Sequence, residues 1–285
     1  MMKMWNMVID VAKCHDCNNC FLACKDEHYG NSFPPYAVAQ PRHGHRWMNI
    51  MRRERGQYPK VDVAYLPVPC MHCDDAPCMN KVEDNSVYKR PDGIVIIDPE
   101  KAKGNKQLTE TCPYGVIWWN EEKDLPQKCT FCAHLLDEGW REPRCVQACP
   151  TGALKVVHAE GAEMNAIVKA EGLEVYLPKH QTNSRVYYKN LYRYTSCFVA
   201  GSIALQDTDE CAEGAAITLT NGSTSVVGKA ETNNYGDFKI DNLEEGSGEY
   251  TLEITFEGYE PKILAINLNE SLNLGTLFLA PSRKL

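Results

Sequence analysis

Cys14-His15-Asp16-Cys17-Asn18-Asn19-Cys20-Phe21-Leu22-Ala23-Cys24 sets the reading of the whole chain. Three thiols at two-residue gaps, with a fourth three residues further on, have the spacing that holds a [4Fe–4S] cluster. Three thiolates from one tight loop surround one cubane, while the fourth, carried off on the helix that follows, serves a neighbouring cluster. Zinc sites use paired Cys-x2-Cys knuckles that close at four ligands, which a triple with an outlying fourth fits poorly.

The pattern returns, altered each time. Cys70-Met71-His72-Cys73 with Cys78 again offers three thiols, but Val82 stands where the fourth is expected. Between Asp98 and Thr111 a further triple is missing, and only its closing member survives, in Cys112-Pro113-Tyr114-Gly115. The last run is Cys129-Thr130-Phe131-Cys132, a twelve-residue insert, then Cys145 and Cys149-Pro150. Proline after a closing ligand ends the ligand helix and turns the chain away.

In two-cluster ferredoxin units the closing cysteine of each run serves the other run's cluster. Pairing the first run with the fourth gives one set, Cys14, Cys17, Cys20 and Cys149, and another, Cys129, Cys132, Cys145 and Cys24. Pairing the second with the third gives Cys70, Cys73, Cys78 and Cys112, and a fourth site none of whose four ligands exists. Twelve of the 14 cysteines are thereby used by three clusters. Cys197 and Cys211 are expected to be free structural thiols; a disulfide between them is not indicated.

Charge divides the chain. Residues 1–199 carry 25 Lys and Arg against 24 Asp and Glu, and residues 200–285 carry 5 against 14. The acidic tail would repel nucleic-acid phosphates, so no nucleic-acid partner is expected. No secretory or twin-arginine signal is recognised at the start, and no apolar run approaches the ~18–20 residues that span a bilayer. A reducing cytoplasm is the expected setting. Neither a G-x-G-x-x-G after a strand nor a G-x-x-x-x-G-K phosphate loop is present, and no catalytic arrangement is recognised in this chain.

The fold expected is α+β: a duplicated bacterial-ferredoxin-like domain over residues 1–158, with an insertion at 30–69, followed by an all-β sandwich or small barrel. In the insertion, prolines at 34, 35, 41, 59, 67 and 69 are expected to break any long element. His43 and His45 there read as ordinary hydrogen-bonding histidines. Val87 to Asp98 reads as a hairpin turning at Pro91-Asp92-Gly93. Residues 159–198 read as a helix ended by Gly172 and an aromatic linker whose tyrosines anchor it. Over 199–285 the period changes to two, as in Tyr250, Leu252, Ile254 and Phe256, with about seven short strands separated by Gly- and Asn-rich turns. That tail resembles the regulatory β-domain appended to carboxypeptidases.

The four runs in order resemble the four-cluster ferredoxin subunits that partner molybdopterin oxidoreductases of the dimethyl-sulfoxide-reductase superfamily. The vanished site, the β-tail and segments such as Gly44-His45-Arg46-Trp47-Met48-Asn49-Ile50 and Arg185-Val186-Tyr187-Tyr188-Lys189-Asn190-Leu191-Tyr192-Arg193 resemble, within that superfamily, the small-subunit family of pyrogallol–phloroglucinol transhydroxylases. The resemblance implies an electron-transfer subunit with three [4Fe–4S] clusters and no active site of its own. It also implies a larger catalytic partner holding molybdenum bis-pterin guanine dinucleotide and acting on polyhydroxylated phenols, with no membrane subunit. The alternatives are a subunit of another molybdopterin enzyme, resorcinol-hydroxylase-like or quinone-linked, and a zinc-stapled adaptor with no redox role.

Overall fold

The computed structural model describes residues 2–82, 84–222 and 225–282. The chain forms two compact units, Met1–Arg52 with Tyr65–Leu191, and Arg53–Ala64 with Tyr192–Leu285.

The first unit begins with β1 (Met4–Asp10) and α1 (Asn19–His28). A long hairpin follows, β2 (Asn49–Gln57) and β3 (Lys60–Val68). Short hairpins β4 (Val87–Lys89) with β5 (Val95–Ile97), and β6 (Trp118–Asn120) with β7 (Leu125–Gln127), separate the remaining cysteine runs. The last run lies on α2 (Ala133–Asp137) and α3 (Arg144–Gln147), and β8 (Leu154–Ala159), α4 (Gly161–Glu171) and β9 (Val186–Lys189) complete the unit.

A three-stranded sheet, β8-β1-β9, explains how the first and last cysteine runs meet. β1 pairs antiparallel with β8, Ile9 opposite Leu154, and parallel with β9, Met7 opposite Val186. Cys14 follows Ile9 by five residues and Cys149 precedes Leu154 by five, so this pairing brings the first and last runs to one end of the sheet. Of residues 159–198, expected as a helix and a linker, those up to Leu191 are part of this unit, and the rest open the second. α4 buries Met164 against Val8, Ala159 and Leu173, and ends at Gly172 in the left-handed region. Tyr188, on β9, is fully buried and donates to the carbonyl of Pro67 at 3.0 Å.

The insertion departs from expectation. Its prolines do not prevent a hairpin of two nine-residue strands, because Pro59 falls in the turn between β2 and β3 and Pro67 falls near the end of β3. The tip of that hairpin, Arg53–Ala64, belongs to the second unit.

That unit continues with α5 (Tyr192–Thr195), β10 (Cys197–Leu205), β11 (Ala216–Asn221), β12 (Val226–Glu231), β13 (Asp237–Leu243), β14 (Gly248–Thr255), β15 (Lys262–Leu268) and β16 (Leu272–Leu279). Two open sheets, β13-β10-β16 and β12-β11-β14-β15, share one core. Alternation places Val199, Ile203, Phe238 and Ile240 of one sheet against Ile217, Leu219, Leu252 and Ile254 of the other. Among the described residues no sheet closes on itself, so the architecture is a sandwich and not a barrel.

Inside the hairpin tip, Arg55 is buried and donates to Asp62 at 2.8 Å and to Asp241 at 3.0 Å. Lys239 reaches the same two carboxylates at 2.8 and 2.7 Å and lies over the Phe198 ring. Gly56 has φ +84, and a Cβ there would come within 2.4 Å of the Lys60 carbonyl, so the tip requires glycine.

Candidate metal centres

The three ligand loops that begin a run are wound in the same way. Asp16, His72 and Phe131 each stand two residues after the first cysteine of their run, and each has a left-handed backbone, with φ of 55°, 44° and 57°. That turn aims the residue's N–H back at the first thiol: His72 donates to Cys70 Sγ at 3.5 Å and Phe131 to Cys129 Sγ at 3.3 Å. Asp16 does the same to Cys14. Backbone donors aimed at sulfur are the means by which a protein holds a charged thiolate cluster and tunes its potential.

The thiols fall into groups by which charges they feel. Burial raises the Cys20 thiol to about 12, and the thiols that act on it are Cys14, Cys149 and Cys17. Burial likewise drives Cys24 well above the ordinary thiol value, and there the acting thiols are Cys129 and Cys132, not those of its own run. Cys145, raised well above its usual value by burial, feels Cys132, Cys129, Cys24 and Cys20. Burial pushes Cys73 up to about 12, with Cys70, Cys112 and Cys78 beside it. The fourth thiol of the first run thus sits with the fourth run, and the closing thiol of the fourth run sits with the first.

Cys70, Cys73, Cys78 and Cys112 line one small cavity, whose remaining walls include Met71, Ala76, Val95 and Ile117. The groups also act on each other. Cys145 feels Cys20, and Cys129 accepts a hydrogen bond from the backbone N–H of Cys70. The set containing Cys24, Cys129, Cys132 and Cys145 is therefore the middle one of three.

Several donors support the sulfurs. Cys149 is the one thiol brought below the ordinary value: burial raises it, but the Leu154, Ala153 and Thr151 amides and the Thr151 hydroxyl outweigh that. Gln40, from the insertion, donates to Cys24 Sγ at 3.9 Å, and Thr182 hydrogen-bonds Cys73. Apart from the Thr151 hydroxyl, two residues from Cys149, none of these helpers is marked in the sequence, since each reaches its thiol from a distant segment or is a backbone amide.

Where the missing triple is expected, the chain makes turns. Asp98 accepts from the amides of Glu100 and Lys101, and a 3-10 turn over Lys106–Glu110 buries Leu108, with Ala102 buried before it. Apolar packing occupies that segment. Of the other residues singled out, His45 is buried and its Nε2 contacts the Trp119 carbonyl at 2.8 Å, while His43 is exposed. Cys197 is buried and donates to the Leu243 carbonyl at 3.3 Å; Cys211 is exposed, and both are free thiols.

The donor set suits an iron–sulfur cubane. All twelve candidate ligands are soft thiols, most of them buried, with peptide N–H groups turned toward several. Among the described residues no three His, Cys, Asp or Glu side chains converge as around a single metal ion. A cubane bonds each thiolate to a different iron, so its ligands need not converge on one point. A buried thiol raised to about 12 keeps its proton until a metal replaces it, which couples assembly to metal uptake.

The family comparisons agree with this geometry. Residues 61–159 match the 4Fe-4S dicluster domain, and residues 199–276 match the carboxypeptidase regulatory-like domain. The chain is 50% identical to the pyrogallol hydroxytransferase small subunit of Pelobacter acidigallici, over 96% of this chain and 98% of that one. It is 29% identical to a sulfite dehydrogenase subunit of Allochromatium vinosum, over 64% and 81% of the two chains. With the arsenate respiratory reductase iron-sulfur subunit of a Shewanella species it shares 27% identity, over 64% and 94%.

Fold, thiol runs and relatives together define an iron–sulfur electron-transfer subunit of the kind that serves molybdopterin oxidoreductases. Within that class, the chain belongs to the family of the pyrogallol hydroxytransferase small subunit.

Proposed function

We propose that the chain carries three [4Fe–4S] clusters: one on Cys14, Cys17, Cys20 and Cys149, one on Cys24, Cys129, Cys132 and Cys145, and one on Cys70, Cys73, Cys78 and Cys112. Bound there, the clusters would supply storage and transfer of single electrons. The observation that carries this reading is the exchange of closing thiols, with Cys24 among the fourth run's cysteines and Cys149 among the first's.

The protein's own part is to hold the thiols, exclude water and fix the order of the sites. Cys17 is exposed, whereas Cys70, Cys73 and Cys78 are buried. The first set is therefore the one placed for exchange with another protein, and exposed Leu22, on α1 beside it, supplies an apolar contact. The partner is a larger molybdopterin-binding subunit, and the identity over 96% of this chain supports a transhydroxylase acting on polyhydroxylated phenols such as pyrogallol. The setting is cytoplasmic, and the β-sandwich is a docking or stabilising module. Among the described residues no helix is long and apolar enough to cross a membrane.

Co-expression with a candidate large molybdopterin-binding subunit tests the reading. The complex is expected to contain molybdenum or tungsten with iron and to convert pyrogallol to phloroglucinol. A stable complex with a membrane-spanning subunit and no action on phenols would overturn the substrate assignment while leaving the electron-transfer role.

A further inference from the structure

Lys128 occupies the junction of two thiol sets. It directly precedes Cys129, is 2% exposed, and lines the cavity shared by Cys70, Cys73, Cys78 and Cys112. Its Nζ donates to the carbonyls of Val95 and, at 3.2 Å, Cys129. Among the described residues these carbonyls are its acceptors, and no carboxylate joins them.

An ammonium taken out of water needs a counter-charge, and two carbonyl dipoles supply only part of one. The other basic groups near this point do not share its situation. Lys89 and Arg185 are paired with Asp74. His72 accepts at Nδ1 from the Val95 amide at 3.0 Å, which keeps its ring neutral. The buried positive charge at the junction is thus that of Lys128.

We propose that Lys128 is the shared counter-cation of the clusters on Cys70, Cys73, Cys78 and Cys112 and on Cys24, Cys129, Cys132 and Cys145, and that it favours their reduced forms. This rests on the reading that those thiols hold [4Fe–4S] clusters. Four thiolates round a cubane leave net negative charge that deepens on reduction, so a fixed cation in a low-dielectric wall stabilises the reduced form more than the oxidised one. Lys128 lines the cavity of the one set with Cys70, Cys73, Cys78 and Cys112 and hydrogen-bonds the carbonyl of Cys129 in the other, so it stands beside both. The first set meets the middle one through Cys20 and Cys145 instead. Lys128 therefore biases an electron toward the middle and far sites.

The test compares full-length K128M and K128R with the wild type, by iron and sulfide content and by potentiometric titration followed by electron paramagnetic resonance. In K128M the reduced-to-oxidised ratio of two clusters at fixed potential is expected to fall about tenfold, which is about 59 mV for a one-electron couple. The third cluster, and all three in K128R, should stay at their wild-type potentials. Full cluster content with three unchanged potentials in K128M would overturn the proposal. If K128M loses clusters, their retention in K128R supports a need for the charge, and equal loss in K128R contradicts it. A wild-type chain without iron and sulfide would instead remove the cluster reading beneath the proposal.

Discussion

Cys129 accepts a hydrogen bond from the backbone N–H of Cys70, so ligand loops 59 residues apart in sequence hold each other directly. That bond joins two of the three thiol sets, and Cys20 and Cys145 act on each other electrostatically between the first set and the middle one. The sites form a row whose middle member is built from the fourth run and Cys24.

The ligand assignment predicts which cluster each substitution removes. Cys24→Ser should disturb the cluster of the fourth run, Cys149→Ser that of the first, and Cys112→Ser that of the second alone, each leaving about eight of about twelve irons. Iron analysis with electron paramagnetic resonance of the three variants checks this. Loss of the same signal in the Cys24 and Cys149 variants would refute the exchange of closing thiols.

Arg55→Met should destabilise the β-sandwich unit. The guanidinium, 1% exposed, faces two carboxylates, and removing it leaves Asp241 with Lys239 and Asp62 with Lys239 and Arg193. Breaking a buried ion pair costs about 3–5 kcal/mol. Urea unfolding of the full chain, followed by hydrogen exchange in β10 and β13, should show the loss there with cluster content retained; unaltered protection would count against a structural role for the hairpin tip.

The same group predicts an acid sensitivity. Burial acts to raise the Asp62 carboxyl, but hydrogen bonds and charge from Lys239 and Arg55 outweigh it and hold the pKa at about 2, from an ordinary 3.8. A carboxylate depressed in the folded state contributes stability that is complete above its unfolded value and lost as the pH falls through its folded value. Calorimetric scans should therefore show the β-unit weakening between about pH 4 and about pH 2. Asp62→Asn should flatten that slope, and an unchanged slope would assign the sensitivity elsewhere.

How much of this could be read from the sequence differs by element. The four thiol runs were legible because their spacing is local, and the exchange of closing thiols was expected from the pattern of two-cluster ferredoxins. The alternation of Tyr250, Leu252 and Ile254 likewise marked a half-buried strand, β14. The long hairpin was not legible, since Pro59 and Pro67 look like breakers until one sees that the first lies in a turn and the second near a strand end. Nor was Lys128, whose buried ammonium donates to the Val95 carbonyl, on a strand 33 residues earlier. Gln40 and Thr182 were hidden for the same reason: their sulfur partners are brought to them by tertiary packing.

The central claim is the count of three clusters, and quantifying iron and acid-labile sulfide in the anaerobically purified full chain tests it most directly. A brown protein with about twelve irons and about twelve sulfides per chain is expected. A colourless, zinc-containing protein without sulfide, or one with about eight or about sixteen irons, would contradict it.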